Sequence, residues 1–395
     1  MKRLFLFLTV LALCLLLISC GETDTPPVPD DVPETGNSGD PAFDNVTPDA
    51  EFEYPEDPEK FVVNYIRSMA MREWTPNETF HLYGKYQAWS YNLTYEYGTK
   101  YYGPPFLTYS RGTKQEFENS LVDNVYMGGT TDSDAIGSAC YDAVYVSLIQ
   151  VCPSISFEST EDMLPENETG LLPVGDWDYT VSKHDTKNIM QANTITQMAK
   201  AYAELKPGDV VLKHLVSQDA GHTRIVSGGP VVYKNSDGSI NFTTSYITAI
   251  EQTNAWDKKV SHNTTWWVDH VYTFKELYDT FFVPLRPADY SRDVSRASVT
   301  ISDFTKAEEL QKGRNLNGIV ESNHYVTELK ITITNDDGKV IYEKHYFPNS
   351  KKIYLEDLEY KPGLYNYDNG EYNFKLDASL AFGTKNLVDC NFVLD

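Results

Sequence analysis

The sequence predicts an α+β protein in which a helix packs on antiparallel strands, followed by a small all-β region. A helical pattern through Leu148 and Ile149 follows the small residues Gly137 to Ala139. Residues 205–252 alternate turn signals with β-type runs, and residues 299–395 repeat short strand patterns between turns. A helix beside strands, and then strands alone, define this class.

The length and net charge of the chain limit its number of domains and its possible partners. At 395 residues the chain exceeds one ordinary hydrophobic core, so two or more domains are expected. Its 28 Tyr, 18 Phe and 6 Trp supply cores and aromatic-lined clefts. The formal net charge of −24 excludes nucleic acid as a partner, because phosphate backbones require clustered Lys and Arg.

The N-terminus has the pattern of an export signal. The basic start Met1-Lys2-Arg3 precedes an apolar run from Leu4 to Ile18, which is short for a membrane span. The junction Ser19-Cys20 resembles a bacterial lipobox. The resemblance implies a signal peptide over residues 1–19, diacylation of Cys20, and export to a bacterial membrane surface through that lipid anchor. An ordinary secretory signal with an incidental cysteine is the alternative.

Residues 20–57 predict a disordered acidic linker, because they are rich in Pro, Asp and Glu and contain no Lys or Arg. Helical spacing begins at Glu59 and marks a first folded domain over residues 58–290. Near its end, Phe274 to Phe282 predicts a helix, and Val283 to Pro287 predicts a connector. The all-β domain covers residues 297–395.

Cys140 is the candidate nucleophile. It stands at a predicted helix N-terminus, where free N–H groups and the helix dipole favour a thiolate. A nucleophile needs a base, and His222 at the head of a predicted strand supplies one. Glu251 and Gln252 on the next strand point to opposite faces, so only one of them faces His222 and orients its ring. Asn254 is a further candidate.

The order of these elements resembles the NlpC-like and CHAP-like cysteine peptidases over about residues 100–255. The matching motifs are Tyr126-Met127-Gly128-Gly129, Cys140, Leu205-Lys206-Pro207-Gly208-Asp209 and Gly221-His222-Thr223-Arg224-Ile225-Val226. The resemblance implies a papain-like fold, hydrolysis of amide bonds in peptidoglycan, Cys140 as nucleophile and His222 as base. CHAP-like enzymes carry Glu-Gln-Asn on the following strand, and the similar Glu251-Gln252-Thr253-Asn254 favours Glu251 as the third residue.

Two departures affect what the resemblance implies. NlpC-like enzymes usually read Asp-Cys-Ser-Gly, whereas this chain reads Ala139-Cys140-Tyr141-Asp142. A tyrosine upstream of the cysteine often binds the oxyanion in that family, and Tyr102 and Tyr126 both qualify by order. Tyr141, Gln252 and Asn254 are further candidates for oxyanion or substrate binding. The C-terminal segment resembles bacterial Ig-like domains, through residues 316–322 and 370–372.

Other chemistry-bearing residues are interpreted as structural. Cys152 fits a small core hydrophobe, and His214 and His262 fit structural histidines. No metal-ligand spacing or phosphate-binding loop is present in the sequence, so neither metal nor cofactor is expected. Two functions remain open: a membrane-tethered cysteine amidohydrolase of peptidoglycan or related peptides, and a catalytically weak peptidase-like lipoprotein for cell-wall binding or adhesion.

Overall fold

The chain folds as an α+β structure dominated by antiparallel sheets, which confirms the predicted class. A computed structural model describes residues 49–86, 89–108, 110–218, 220–305, 307–313 and 316–395. The predicted signal peptide (residues 1–19), the lipidation site Cys20 and linker residues 20–48 lie outside these described ranges.

The helices are short. In chain order they are α1 (Pro58–Ala70), α2 (Lys114–Asn119), α3 (Cys140–Leu148), α4 (Thr186–Ala192), α5 (Ile195–Ala203), α6 (Phe274–Asp279) and α7 (Ala307–Leu310). The helices predicted after Gly137 and from Glu59 are therefore confirmed as α3 and α1. Within the described ranges, none of the helices has the length and apolar character needed to cross a membrane.

Fourteen strands precede residue 288 in the described part of the chain. They are β1 (Asp49–Phe52), β2 (Glu73–Pro76), β3 (Phe80–Tyr86), β4 (Trp89–Tyr95), β5 (Tyr101–Tyr102), β6 (Leu121–Val122), β7 (Val125–Tyr126), β8 (Leu171–Pro173), β9 (Val210–Leu215), β10 (Ala220–Val231), β11 (Tyr246–Gln252), β12 (Asn263–Thr264), β13 (Trp266–Thr273) and β14 (Val283–Pro287).

The central element is a six-stranded antiparallel sheet in the order β13-β11-β10-β9-β14-β8. Helix α3 packs on β10 and β11, so the cysteine helix lies against the strands that carry His222 and Glu251. The apolar side chains of α1, α3 and α5 share one core with this sheet. The predicted packing of the cysteine helix against the strands that carry His222 and Glu251 is thus present.

The segment Val283–Pro287 is strand β14, and the predicted connector is wrong there. It pairs with β9 on one side and β8 on the other. Val283 and Leu285 are fully buried. Burial of these side chains outweighs the ladder hydrogen bonds that two prolines cannot donate.

A second cluster lies beside the cysteine helix. The five-stranded sheet β12-β5-β2-β7-β6 and the hairpin β3-β4 enclose an aromatic core around the fully buried Trp74. Phe80, Tyr95, Tyr101 and Tyr126 all lie within 6.5 Å of the Trp74 ring, centroid to centroid. Packing therefore explains much of the tyrosine-rich stretch.

The C-terminal region is all β, apart from α7 and short 3-10 turns. Its strands are β15 (Ala297–Ser302), β16 (Ile319–Val326), β17 (Glu328–Asn335), β18 (Val340–Tyr346), β19 (Ser350–Tyr354), β20 (Gly370–Leu380) and β21 (Gly383–Leu394). They form two four-stranded sheets, β1-β15-β16-β19 and β18-β17-β20-β21, around a shared apolar core.

Strand β1 shows that the predicted linker ends earlier than residue 57. Asp49–Phe52 pairs antiparallel with β15. Ala50 and Phe52 are buried while their neighbours are exposed, so the strand joins the core through its alternating residues. The acidic composition of this stretch does not reveal that alternation.

The two β-rich parts touch each other. The Phe382 ring of the C-terminal region lies 6.3 Å from Phe61 of α1, centroid to centroid. Tyr145 of α3 donates a hydrogen bond to the hydroxyl of Tyr325, at 3.3 Å. The described residues from 49 onward therefore belong to one compact unit with separate hydrophobic cores.

Candidate active site

Cys140 is the first residue of α3, as the sequence predicts. Ala139 before it is extended, and the Asp142 carboxylate accepts the Ala139 N–H at 3.4 Å. The Cys140 backbone N–H belongs to the first turn, which has no intrahelical acceptor. The side chain is 8% exposed and lines a cleft. A nearly buried thiol at a helix N-terminus thus has one opening to solvent.

Asp142 fixes this helix start. Its carboxylate accepts a hydrogen bond from Arg111 Nε at 3.1 Å, and Arg111 also donates to the Phe157 carbonyl at 2.8 Å. Burial raises the pKa of Asp142 to about 7, against the opposing effect of Arg111. Asp142 therefore anchors the start of α3, through Arg111, to the segment that contains Phe157.

His222 and Glu251 lie on adjacent antiparallel strands. The register pairs Ile225 with Ile250, which places Glu251 opposite Arg224 and two residues from the His222 position. His222 Nε2 and Glu251 Oε2 are hydrogen-bonded, and Cys140 and His222 line the same cleft. Because Nε2 faces the carboxylate, Nδ1 is the nitrogen left for the thiol. The structure therefore brings the three predicted catalytic residues together.

The electrostatics of the site favour a protonated His222 beside an ionised Glu251. Burial alone would lower the pKa of His222, but the charges of Glu251 and Cys140 and their hydrogen bonds raise it to about 9. Burial would likewise raise the pKa of Glu251, but Arg224 and His222 lower it to about 2. At neutral pH an imidazolium therefore faces a carboxylate, and Glu251 is the partner of His222.

Two residues beside Glu251 were not predicted. Arg224 Nε donates to Glu251 Oε2 at 2.8 Å, and the Tyr272 hydroxyl donates to Glu251 Oε1. The available signal was strand periodicity, because Arg224 lies two residues after His222 and so shares its face. Nothing in the local sequence around Tyr272, on a strand further along, indicates this contact.

The cleft has a volume of about 270 Å³. Its lining combines aromatic, hydroxyl and carboxylate side chains with the predicted thiol and imidazole: Tyr91, Phe106, Thr108, Ala139, Cys140, Tyr141, Glu158, Ser159, Thr160, Gly221, His222, Thr253 and Asn254. Glu158, Ser159 and Thr160, which lie between α3 and β8, thus form a wall of the cleft.

Gly221 lets that wall close on the histidine strand. A Cβ atom at position 221 would lie 1.7 Å from Thr160 Oγ1. Glycine is therefore required by the close approach of Thr160. Thr160 Oγ1 is also 3.0 Å from His214 Nδ1, which gives His214 a structural contact behind the wall.

The remaining candidates divide between the cleft and other places. Tyr141 and Asn254 line the cleft. Gln252 is fully buried and bonds to Ser138 Oγ and to the Pro104 carbonyl. Tyr102 donates to Glu73, and the buried Tyr126 donates to the Gly129 carbonyl. Neither Tyr102 nor Tyr126 lines the cleft, whereas Tyr91, which was not predicted, does.

Cys152, Cys390 and His262 do not line the cleft. Cys152 is fully buried, and burial raises the pKa of its thiol well above the usual value. The His262 ring lies 4.5 Å from that of Tyr102. Cys140, Cys152 and Cys390 are free thiols. Among the described residues, no three His, Cys, Asp or Glu side chains form a group that could hold a metal ion.

Comparison with known proteins adds no identification: no protein-family model, curated protein or solved structure matches this chain.

Proposed function

We propose that this protein is a cysteine amidohydrolase with a Cys140-His222-Glu251 catalytic set and a papain-like catalytic domain. The observation that carries the proposal is the hydrogen bond between His222 and Glu251, with His222 and Cys140 lining one cleft. A thiol, a base and an orienting carboxylate in that order are the parts of nucleophilic acyl transfer.

In the proposed reaction, Cys140 Sγ attacks the carbonyl carbon of an amide. The Cys140 backbone N–H stabilises the oxyanion, and His222 delivers its proton to the leaving amine as the C–N bond breaks. Water, deprotonated by His222, then attacks the thioester carbonyl; the C–S bond breaks, the acid is released, and the Cys140 thiolate remains beside protonated His222. Glu251 stays ionised and balances the imidazolium charge.

The proposed substrate is a peptide of the bacterial cell wall. The motif order of NlpC-like and CHAP-like enzymes supports this class, as does a lipobox-like Cys20 that would tether the domain at a membrane. The all-β domain would act as an Ig-like spacer. The missing Asp before Cys140 means that a free amine of the substrate would need another anchor.

Alkylation with iodoacetamide, mapped by peptide mass spectrometry, tests the catalytic set. We expect rapid labelling of Cys140 in the wild type and a fall of about a hundredfold in His222→Gln. Cys152 and Cys390 are internal controls because both are buried free thiols. Release of amines from purified peptidoglycan, lost in Cys140→Ala, tests the substrate.

Labelling of Cys140 that does not depend on His222 would contradict the enzyme. Binding of peptidoglycan without cleavage, at equal strength in Cys140→Ala, would favour the binding or adhesion lipoprotein instead.

A further inference from the structure

Arg224 is a largely enclosed cation that the proposed reaction does not use. Its side chain is 12% exposed and its Nε donates to Glu251 Oε2 at 2.8 Å. The guanidinium carbon lies 4.0 Å from the ring centroids of both Tyr272 and Phe282. The two rings cover the guanidinium, so its plane and its hydrogen-bond direction are fixed.

This arrangement leaves Glu251 little freedom. The Glu251 side chain is 2% exposed, and an isolated carboxylate is costly at such burial. Oε2 serves both His222 and Arg224, while Oε1 accepts the Tyr272 hydroxyl. With both oxygens engaged, the carboxylate cannot turn away from the imidazole.

Binding of a substrate anion by Arg224 is excluded by the same contacts. Arg224 is covered by two rings, its Nε is already engaged by Glu251, and it does not line the cleft. What remains is an effect exerted through Glu251 on His222.

We propose that Arg224 is a positioning residue, which keeps Glu251 ionised and directed at His222 and so extends the thiol–imidazole chemistry into acid pH. The consequence for Cys140 depends on the proposed function, whereas the effect on Glu251 does not.

Other charged or titratable groups on the elements packed around Arg224 and Glu251 act on the same site. Lys213 on β9 lies directly across from His222, and its charge interacts with Arg224. Glu276 on α6 acts on Tyr272 of β13, and Cys140 on α3 acts on His222. Arg224 is the group among these that donates a hydrogen bond to Glu251 and carries a permanent charge.

Two titrations on the full-length protein test the proposal. The first follows the Glu251 side-chain carboxyl by carbon-13 NMR, and the second follows Cys140 alkylation by iodoacetamide from neutral to acid pH. In Arg224→Met we expect both acid midpoints to rise by about one pH unit or more, because the opposite charge is lost. Arg224→Lys should recover part of this change by restoring a cation.

Arg286→Met is the matched control. Arg286 pairs with the fully buried Asp209 at 2.6 Å, outside the cleft. This variant should lose stability without moving either midpoint, which separates general destabilisation from positioning.

Unchanged midpoints in a folded Arg224→Met protein would overturn the proposal. If that variant does not fold, Arg224→Gln decides, because it removes the charge but keeps a side-chain donor, so unchanged midpoints there also overturn the proposal. A raised Glu251 midpoint in Arg224→Met would support the positioning role of Arg224 whatever Cys140 does. If Cys140 labelling proves independent of His222, the proposed enzyme function is refuted while that positioning role stands.

Discussion

Glu251 and Gln252 are neighbours in strand β11, and their side chains make different contacts on its two faces. Glu251 holds His222, whereas Gln252 bonds to Ser138 and to the Pro104 carbonyl on the other side. Ser138 lies two residues before Cys140, so Gln252 supports the start of α3. The alternation of side chains along a strand therefore lets one strand orient the base and also anchor the segment that carries the thiol.

We expect Gln252→Ala to destabilise the fold by about 1–3 kcal/mol, because buried hydrogen-bond partners are left unsatisfied. The pH profile of Cys140 alkylation should hardly change. Glu251→Gln should move the pH profile of Cys140 alkylation while the protein still folds. Urea unfolding and alkylation kinetics on both variants check this. If Gln252→Ala alone abolished labelling in a folded protein, Gln252 would be the third catalytic residue.

The His222-Glu251 pair also predicts how stability depends on pH. The pKa of His222 rises from 6.5 to about 9 on folding, so its contribution is complete below pH 6.5 and is lost as the pH rises through about 9. The pKa of Glu251 falls from 4.5 to about 2, so its contribution is complete above pH 4.5 and is lost as the pH falls through about 2.

The stability difference between wild type and Glu251→Gln should therefore be largest between pH 4.5 and 6.5. Urea midpoints measured inside this window and beyond each edge give that difference. A difference that stays constant across all three conditions would mean that His222 and Glu251 do not form an ion pair in the folded protein.

At the scale of elements, the sequence predicts the helices and strands that depend on local residue patterns. Helix α3 and strands β9, β10 and β11 follow from periodicity and from turn residues that lie within each segment. The roles of Tyr91, Tyr102 and Tyr126 do not, because only the packing of distant segments decides which tyrosine faces the cleft. Arg224 could be placed on the face of His222, but its ring partners Tyr272 and Phe282 come from elements far along the chain.

Trp74 is the centre of the aromatic cluster beside α3. It is fully buried, and its Nε1 donates to the Gly103 carbonyl at 2.8 Å. Trp74→Ala should destabilise the protein by about 3–5 kcal/mol through the cavity it leaves. Trp74→Phe keeps most of the ring volume and should cost less. Thermal unfolding followed by circular dichroism compares the two, and equal losses would mean that the hydrogen bond, rather than the volume, matters.

At the scale of the whole molecule, Cys20 is the proposed membrane anchor. Two acyl chains give lasting attachment where one does not. We expect Cys20→Ser to move the protein from the membrane fraction to the soluble fraction of expressing cells, as seen by immunoblotting. Continued membrane association of that variant would show that another part of the chain holds it there.

The last prediction concerns the C-terminal region. All residues that line the cleft lie between Tyr91 and Asn254. The six-stranded sheet that carries His222 and Glu251 has its own core. A fragment of residues 53–296 removes β1 together with its partner β15, so no unpaired strand remains from that sheet. It also exposes Tyr54, Phe61 and Tyr145, which contact Phe382 and Tyr325 in the full chain.

The fragment should therefore fold with a lower midpoint of thermal unfolding and keep His222-dependent labelling of Cys140. Wild-type labelling kinetics in the less stable fragment would mean that the all-β region stabilises the catalytic part without shaping its cleft. Labelling lost from a fragment with native circular dichroism would give the C-terminal region a direct part in the site, acting through Tyr325 and its contact with α3.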